Sequence, residues 1–167
     1  MKIEDNFLEQ KEFDRLQTLI MGFPFDWHYC QSITTYEIDK DNFQFVHTFY
    51  RYDSPRSSYF ENLKPILEII NPISIYRIKT NSRTKTSKNE ESSFHSDMDI
   101  MSEEKRKQWT TSIFYVNTNN GYTEFEDGTK IESVENRMVT FPTNLKHRGT
   151  SCTDEKIRVV INFNYFK

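Results

Sequence analysis

A chain of 167 residues is long enough to bury the core of one domain, and its formal charge of -3 gives no field that would draw it to nucleic acid. The apolar share is only 35%, but 14 Phe, 9 Tyr and 2 Trp bury large areas, and glycine and proline are too scarce for a disordered or low-complexity chain. The start, Met1-Lys2-Ile3-Glu4-Asp5, has no apolar run, and no stretch approaches the ~20 apolar residues that span a bilayer. These features predict a cytoplasmic protein with no signal peptide and no transmembrane segment, and they carry no strong nucleic-acid signal.

In chain order, Phe7, Leu8, Phe13, Leu16, Leu19 and Ile20 recur near helical spacing and predict a helix over 7–21, capped by Asp5 or Asn6 and stopped by Gly22 and Pro24. Two extended runs follow, Trp27 to Ile38 and Phe43 to Tyr50, with Asp39-Lys40-Asp41-Asn42 between them as a hairpin turn. Their histidines, His28 and His47, sit among aromatics with no carboxylate at ligand spacing and read as structural or surface residues. A second helix is predicted within Ser54 to Ile70, started by Ser57 or Ser58, striped by Leu63, Ile66, Leu67 and Ile70, and ended by Pro72. Ile73 to Lys79 alternates like a strand. Asn81 to Ser93 is polar and without periodicity, and predicts a long loop: a solvated insertion, or a lid beside a site. Ser102 to Lys107 is a second polar excursion.

From Trp109 the pattern changes to short strands: Trp109–Val116, Tyr122–Phe125, Val134 or Arg137 to Phe141, and Lys156–Phe166. Turns at Asn119-Asn120-Gly121, Asp127-Gly128 and Arg148-Gly149 separate them. Helices first and strands after, with no βαβ alternation, predict a mainly β sandwich or jelly-roll barrel with flanking helices. The whole chain, 1–167, reads as one domain, with helical and hairpin support over about 1–72 and a barrel over about 73–167. Cys30 and Cys152 lie far apart outside any Cys-x-x-Cys pattern, which argues for two reduced thiols rather than a structural zinc site.

The chemistry-bearing stretch is Phe94-His95-Ser96-Asp97. On an extended strand, His95 and Asp97 point to one face and can hold two adjacent corners of a metal ion, and one more histidine would complete the two-histidine, one-carboxylate face that leaves open positions on ferrous iron. His147, at the predicted start of a strand fifty residues later, is positioned to supply it. Asp99 shares the face but lies two residues further on. Arg158 leads a strand otherwise suited to burial and needs an anionic partner; a dicarboxylate would provide one, a protein salt bridge or an exposed strand start being the alternatives.

Several segments in order resemble the 2-oxoglutarate- and Fe(II)-dependent dioxygenases, particularly the small prolyl-4-hydroxylase-like branch. They are Phe94-His95-Ser96-Asp97, then Trp109 to Asn117 with Gly121-Tyr122-Thr123-Glu124-Phe125, then Arg137 to Phe141, His147-Arg148-Gly149-Thr150 and Arg158. The opening Asp5-Asn6-Phe7-Leu8 also resembles the usual lead-in. The family's paired glycines are here Asn120-Gly121, and Val160 stands where many relatives have Ser or Thr.

The resemblance implies a double-stranded β-helix, cupin-like core with His95, Asp97 and His147 as iron ligands, Arg158 on the C5 carboxylate of 2-oxoglutarate, and Tyr76 assisting from the first core strand. It implies O2 as co-substrate, ascorbate as reductant, and release of succinate and CO2 as an unactivated C–H bond of a small molecule or a peptide or protein side chain is hydroxylated. Retaining Asp97 favours hydroxylation over halogenation, which needs a small residue there. The competing expectations are a cupin-like binding module without turnover, and a metal hydrolase on the same triad.

Overall fold

The computed structural model describes residues 1–33 and 42–167. A short strand β1 (Lys2–Glu4) precedes helix α1 (Gln10–Met21), which turns Phe13, Leu16 and Ile20 inward at helical spacing. The helix starts later than the apolar spacing predicts. Asn6 takes a positive φ of 53°, Asp5 pairs with Arg137 instead of capping, and Glu9 stands at the N-cap without a side-chain hydrogen bond. Gly22 ends the helix as expected; a Cβ there would lie 2.6 Å from the Thr18 carbonyl oxygen.

Strands β2 (His28–Cys30) and β3 (Gln44–Arg51) pair antiparallel, as the hairpin reading requires, and its proposed turn at 39–41 lies outside the described residues. The second helical region is split. Strand β4 (Ser54–Pro55) and a 3-10 turn (Ser58–Leu63) capped by Ser57 precede α2 (Lys64–Ile70), which carries Pro65 in its first turn and ends on left-handed Asn71 before Pro72.

The barrel strands are β5 (Ser74–Thr84), β6 (Thr110–Tyr115), β7 (Asn119–Phe125), β8 (Lys130–Ser133), β9 (Arg137–Pro142), β10 (His147–Gly149) and β11 (Ile157–Phe166), with the one-turn helix α3 (Glu103–Arg106) before β6. The sequence gives little sign of β8, whose four residues bury only Ile131 and Ser133. Strand β5 runs five residues past the predicted end at Lys79, so 81–84 belong to the sheet rather than to a loop. The rest of the supposed loop is also tied down: Thr86 N donates to Cys152 O, Ser151 N to Glu90 O and Ser92 N to Gly149 O. Its backbone is satisfied while Lys85, Ser87, Lys88 and Glu91 face water and Ser92 is buried.

The large sheet has the order β1-β9-β6-β11-β5-β3-β2, with β4 beside β3, and the small sheet the order β10-β7-β8. Alternation sorts the side chains of the large sheet. Val159, Ile161, Phe163 and Tyr165 of β11, Phe114 of β6 and Ile78 of β5 form one core with Phe13, Leu16, Ile20, Ile66 and Ile70 of the helices. The opposite face packs Ile113, Tyr115, Val139, Phe141 and Val160 against Phe125 and Ile131 of the small sheet. Polar residues of that same face, further along β5 and β11, line a cavity of about 390 Å³ between the sheets. Cys30 and Cys152 are free thiols. Among the described residues no helix is long and apolar enough to cross a membrane.

Candidate metal centre and anion pocket

His95 and His147 face each other directly. His95 N donates to His147 O at 3.0 Å and His147 N to His95 O at 2.9 Å, an antiparallel pair that puts both side chains on one side. The imidazole centroids are 4.9 Å apart. The segment carrying His95 is therefore an irregular outer strand beside β10, joined at the bridges Glu91–Thr150 and His95–His147, and not the regular strand that the His-x-Asp spacing suggests. Met98 leaves it with a φ of 58°.

Each ring has its Nδ1 at a nearby backbone carbonyl, His95 at Ser93 O (3.1 Å) and His147 at Leu145 O (3.2 Å). With Nδ1–H donating there, Nε2 of each ring keeps its lone pair for a ligand. Burial lowers the pKa of His147 to about 4, against the pull of Asp97, so its ring is neutral near pH 7.

Asp97, buried, completes the set, and ligand atoms of the three residues lie within 4.8 Å of one another. Its carboxylate is aimed by three side chains: Arg77 Nη2 donates to Oδ1 (3.2 Å), while Asn164 Nδ2 (2.8 Å) and Thr111 Oγ1 (3.4 Å) donate to Oδ2. Burial alone would raise its pKa; the Arg77 guanidinium, the two imidazoles and the Asn164 amide outweigh that and hold the carboxyl below the usual range. Asp99 is exposed and stands outside the cluster.

Arg158 lies in the same cavity, only 4% exposed. Its Nε donates to Ser133 Oγ (2.7 Å) and its Nη2 to Thr123 Oγ1 (3.1 Å), and Thr123 in turn accepts from the Tyr115 hydroxyl (2.8 Å). Among the described residues no carboxylate pairs with it, so neither structural alternative, salt bridge or exposed strand start, is what the fold provides. Gly121 makes room for this side chain: a Cβ there would lie 2.6 Å from Arg158 Cδ.

The register of β5 against β11 lays out the floor. Asn164 faces Arg77, Asn162 faces Lys79, Val160 faces Asn81 and Arg158 faces Arg83. Arg83, 7% exposed, donates to Gly149 O (3.1 Å) and Asn42 Oδ1, and its pKa is lowered to about 10 by burial and by Arg158. Sequence reasoning misses Arg83 because it falls in a stretch read as a polar loop, and Lys79 because it stands at the predicted end of the strand before that loop. The signal was there in the basic residues at 77, 79 and 83, spaced in twos and fours as one strand face demands.

Tyr76 is the correction. Register shifts there, Asn164 facing Arg77 and Tyr165 facing Ile75, so Tyr76 is the unpaired residue of a bulge. Its ring packs on Trp109, at a centroid distance of 6.2 Å, and it does not line the cavity. The tyrosine beside Arg158 is Tyr115, 5.7 Å from ring centroid to guanidinium carbon.

No protein-family model matches the sequence, and no curated protein sequence does. Solved structures do match. A prolyl hydroxylase from Trichoplax adhaerens, solved with a hypoxia-inducible-factor peptide fragment, superposes with a TM-score of 0.69 at 14% identity, over 99% of this chain and 82% of its own. The fold is that of the 2-oxoglutarate, Fe(II) oxygenases. A Burkholderia pseudomallei protein of that oxygenase family gives 0.65 at 10% identity, over 95% and 80% of the two chains. HygX from Streptomyces hygroscopicus, solved with nickel and 2-oxoglutarate, gives 0.64 at 9% identity, over 98% and 81%. At such identities the likeness is one of fold, and it bears out the double-stranded β-helix with its helices outside.

Proposed function

We propose that the protein is an Fe(II)- and 2-oxoglutarate-dependent dioxygenase. His95 Nε2, His147 Nε2 and the Asp97 carboxylate would hold the iron, and Arg158 would hold the distal carboxylate of 2-oxoglutarate. The observation that carries this reading is the coexistence in one cavity of two singly committed imidazoles with a buried carboxylate, and of a buried guanidinium with no carboxylate partner among the described residues. The donor set suits iron: two nitrogens and one oxygen on one face, with the remaining positions open. Bound there, iron supplies O2 activation coupled to decarboxylation of the keto acid to succinate and CO2.

The chain's own residues do the positioning. Arg77, Asn164 and Thr111 fix which way Asp97 points, so the carboxylate does not have to reorganise when a cation arrives. Ser133 and Thr123 hold the Arg158 fork in one orientation, leaving its remaining edge for a carboxylate. Thr123 lines the cavity beside Arg158, where Val160 offers no hydroxyl. Phe141 and Phe125 pack on His147 and keep water from that side of the site. Hydroxylation of an unactivated C–H bond is the outcome that a retained Asp97 favours, on a small molecule or an exposed side chain of a peptide or protein.

Incubating the protein with Fe(II), ascorbate and 2-oxoglutarate in air and measuring succinate tests the reading. Succinate formation above an Arg158→Gln control supports it; absence of succinate together with no binding of 2-oxoglutarate overturns it.

A further inference from the structure

Arg83 and Arg158 stand directly opposite each other on β5 and β11, both buried and both lining the cavity. Their guanidiniums converge on one residue of β10. Arg83 Nη1 donates to Gly149 O (3.1 Å), and a Cβ on Gly149 would lie 3.3 Å from Arg158 Nη1. Like charges that face each other across a strand pair repel, and out of water the repulsion is strong unless an anion lies between them. Burial and Arg158 lower the pKa of Arg83 only to about 10, so it remains a cation near pH 7.

The described residues supply no such anion. On the segments beside β10, Glu90 pairs with Lys88 (3.7 Å), while Glu91 and Glu124 both pair with Arg148 (2.7 Å each). The hydrogen bonds of Arg83 do not account for its charge either. They go to Gly149 O and Asn42 Oδ1, neutral oxygens that an uncharged amide would serve as well. Its remaining N–H groups, and Arg158 Nη1 beside them, make no hydrogen bond among the described residues. A buried cation held by neutral acceptors alone is unfavourable until a ligand brings the opposite charge.

We propose that Arg83 is a second anchor for the distal carboxylate of the keto acid, which it grips together with Arg158 beside Gly149. The inference rests on the oxygenase reading and adds a residue of β5 to its co-substrate site. Two guanidiniums at that end make the site depend on a full negative charge there, so keto acids that lack the distal carboxylate are rejected.

The test is calorimetric titration of 2-oxoglutarate and, separately, of 2-oxovalerate, the keto acid of equal chain length without the distal carboxylate, into Fe(II)-loaded protein under argon. Arg83→Gln is expected to bind 2-oxoglutarate about tenfold or more weakly than wild type, and 2-oxovalerate within about threefold of it. Arg158→Gln, which leaves Arg83 in place, is expected still to prefer 2-oxoglutarate over 2-oxovalerate by about fivefold or more. Unchanged affinity of Arg83→Gln for 2-oxoglutarate, or equal losses for both keto acids, would overturn the proposal, the second by making the role of Arg83 structural. Equal binding of the two keto acids by Arg158→Gln would overturn it as well, and that arm decides the matter should Arg83→Gln fail to fold. Failure of the oxygenase reading shows differently, as wild-type protein that binds neither keto acid.

Discussion

Asp26, His28 and His47 bring two imidazoles and a carboxylate as close together as His95, Asp97 and His147 do, with ligand atoms within 4.8 Å of one another in each cluster. The difference lies in what else each side chain does. In the first cluster His47 has both ring nitrogens committed, Nδ1 at Asp26 O (2.9 Å) and Nε2 at Ser57 Oγ (2.8 Å), and its ring packs between Phe25, Phe49 and Tyr59. The Asp26 side chain is 58% exposed, and its carboxylate lies no nearer than 3.5 Å to His28. In the second cluster each imidazole spends only Nδ1, and three side chains orient the carboxylate. Proximity alone does not make a metal site. A free lone pair on each ring and a carboxylate already pointed at the same spot do, because neither has to be rearranged when the ion arrives.

This contrast can be broken from either side. The largest effect is expected from Asp97→Ala, which should weaken Fe(II) or Mn(II) binding by about 100-fold or more, beyond the range for losing an outer partner of a ligand; equilibrium dialysis under argon would show it. Next, Arg158→Gln should leave metal affinity unchanged and raise the Kd for 2-oxoglutarate by ~10- to 100-fold, as loss of a charge-assisted pair of roughly 1.5–3 kcal/mol implies. A change of less than threefold in a competition assay would remove Arg158 from the site. His47→Ala should do the reverse: destabilise the fold by about 2 kcal/mol in urea unfolding, since a buried ring and two hydrogen bonds go, and leave metal affinity untouched. The smallest effect sharpens the comparison rather than breaking it. Arg77→Gln keeps all three ligands but frees Asp97 to rotate, so metal affinity should fall by ~10-fold with little effect on 2-oxoglutarate held by Arg158.

Much of this was legible in the residues. The jelly-roll class followed from short strands crowded after Trp109, and the pairing of His147 with His95 from a strand start expected at His147. What the sequence concealed has a common cause. Residues 81–84 read as loop because a strand lining a polar cavity on one face and carrying Thr80 and Ser82 on the other shows no hydrophobic alternation. Arg83 was lost with it. Tyr76 was misplaced by a single-residue bulge, which turns the parity of a strand without leaving a mark in composition. The later start of α1 likewise depends on a partner far away: Asp5 is taken by Arg137, and Asn136 binds Leu8 by both N and O of its backbone.

The central claim, that the metal centre is His95, Asp97 and His147 and not the other cluster, is tested most directly by measuring Mn(II) affinity of the wild-type protein, His147→Ala and His28→Ala side by side under argon. The expected result is one tight site in wild type and in His28→Ala, and its loss in His147→Ala. A tight site that survives in His147→Ala and disappears in His28→Ala would contradict the assignment.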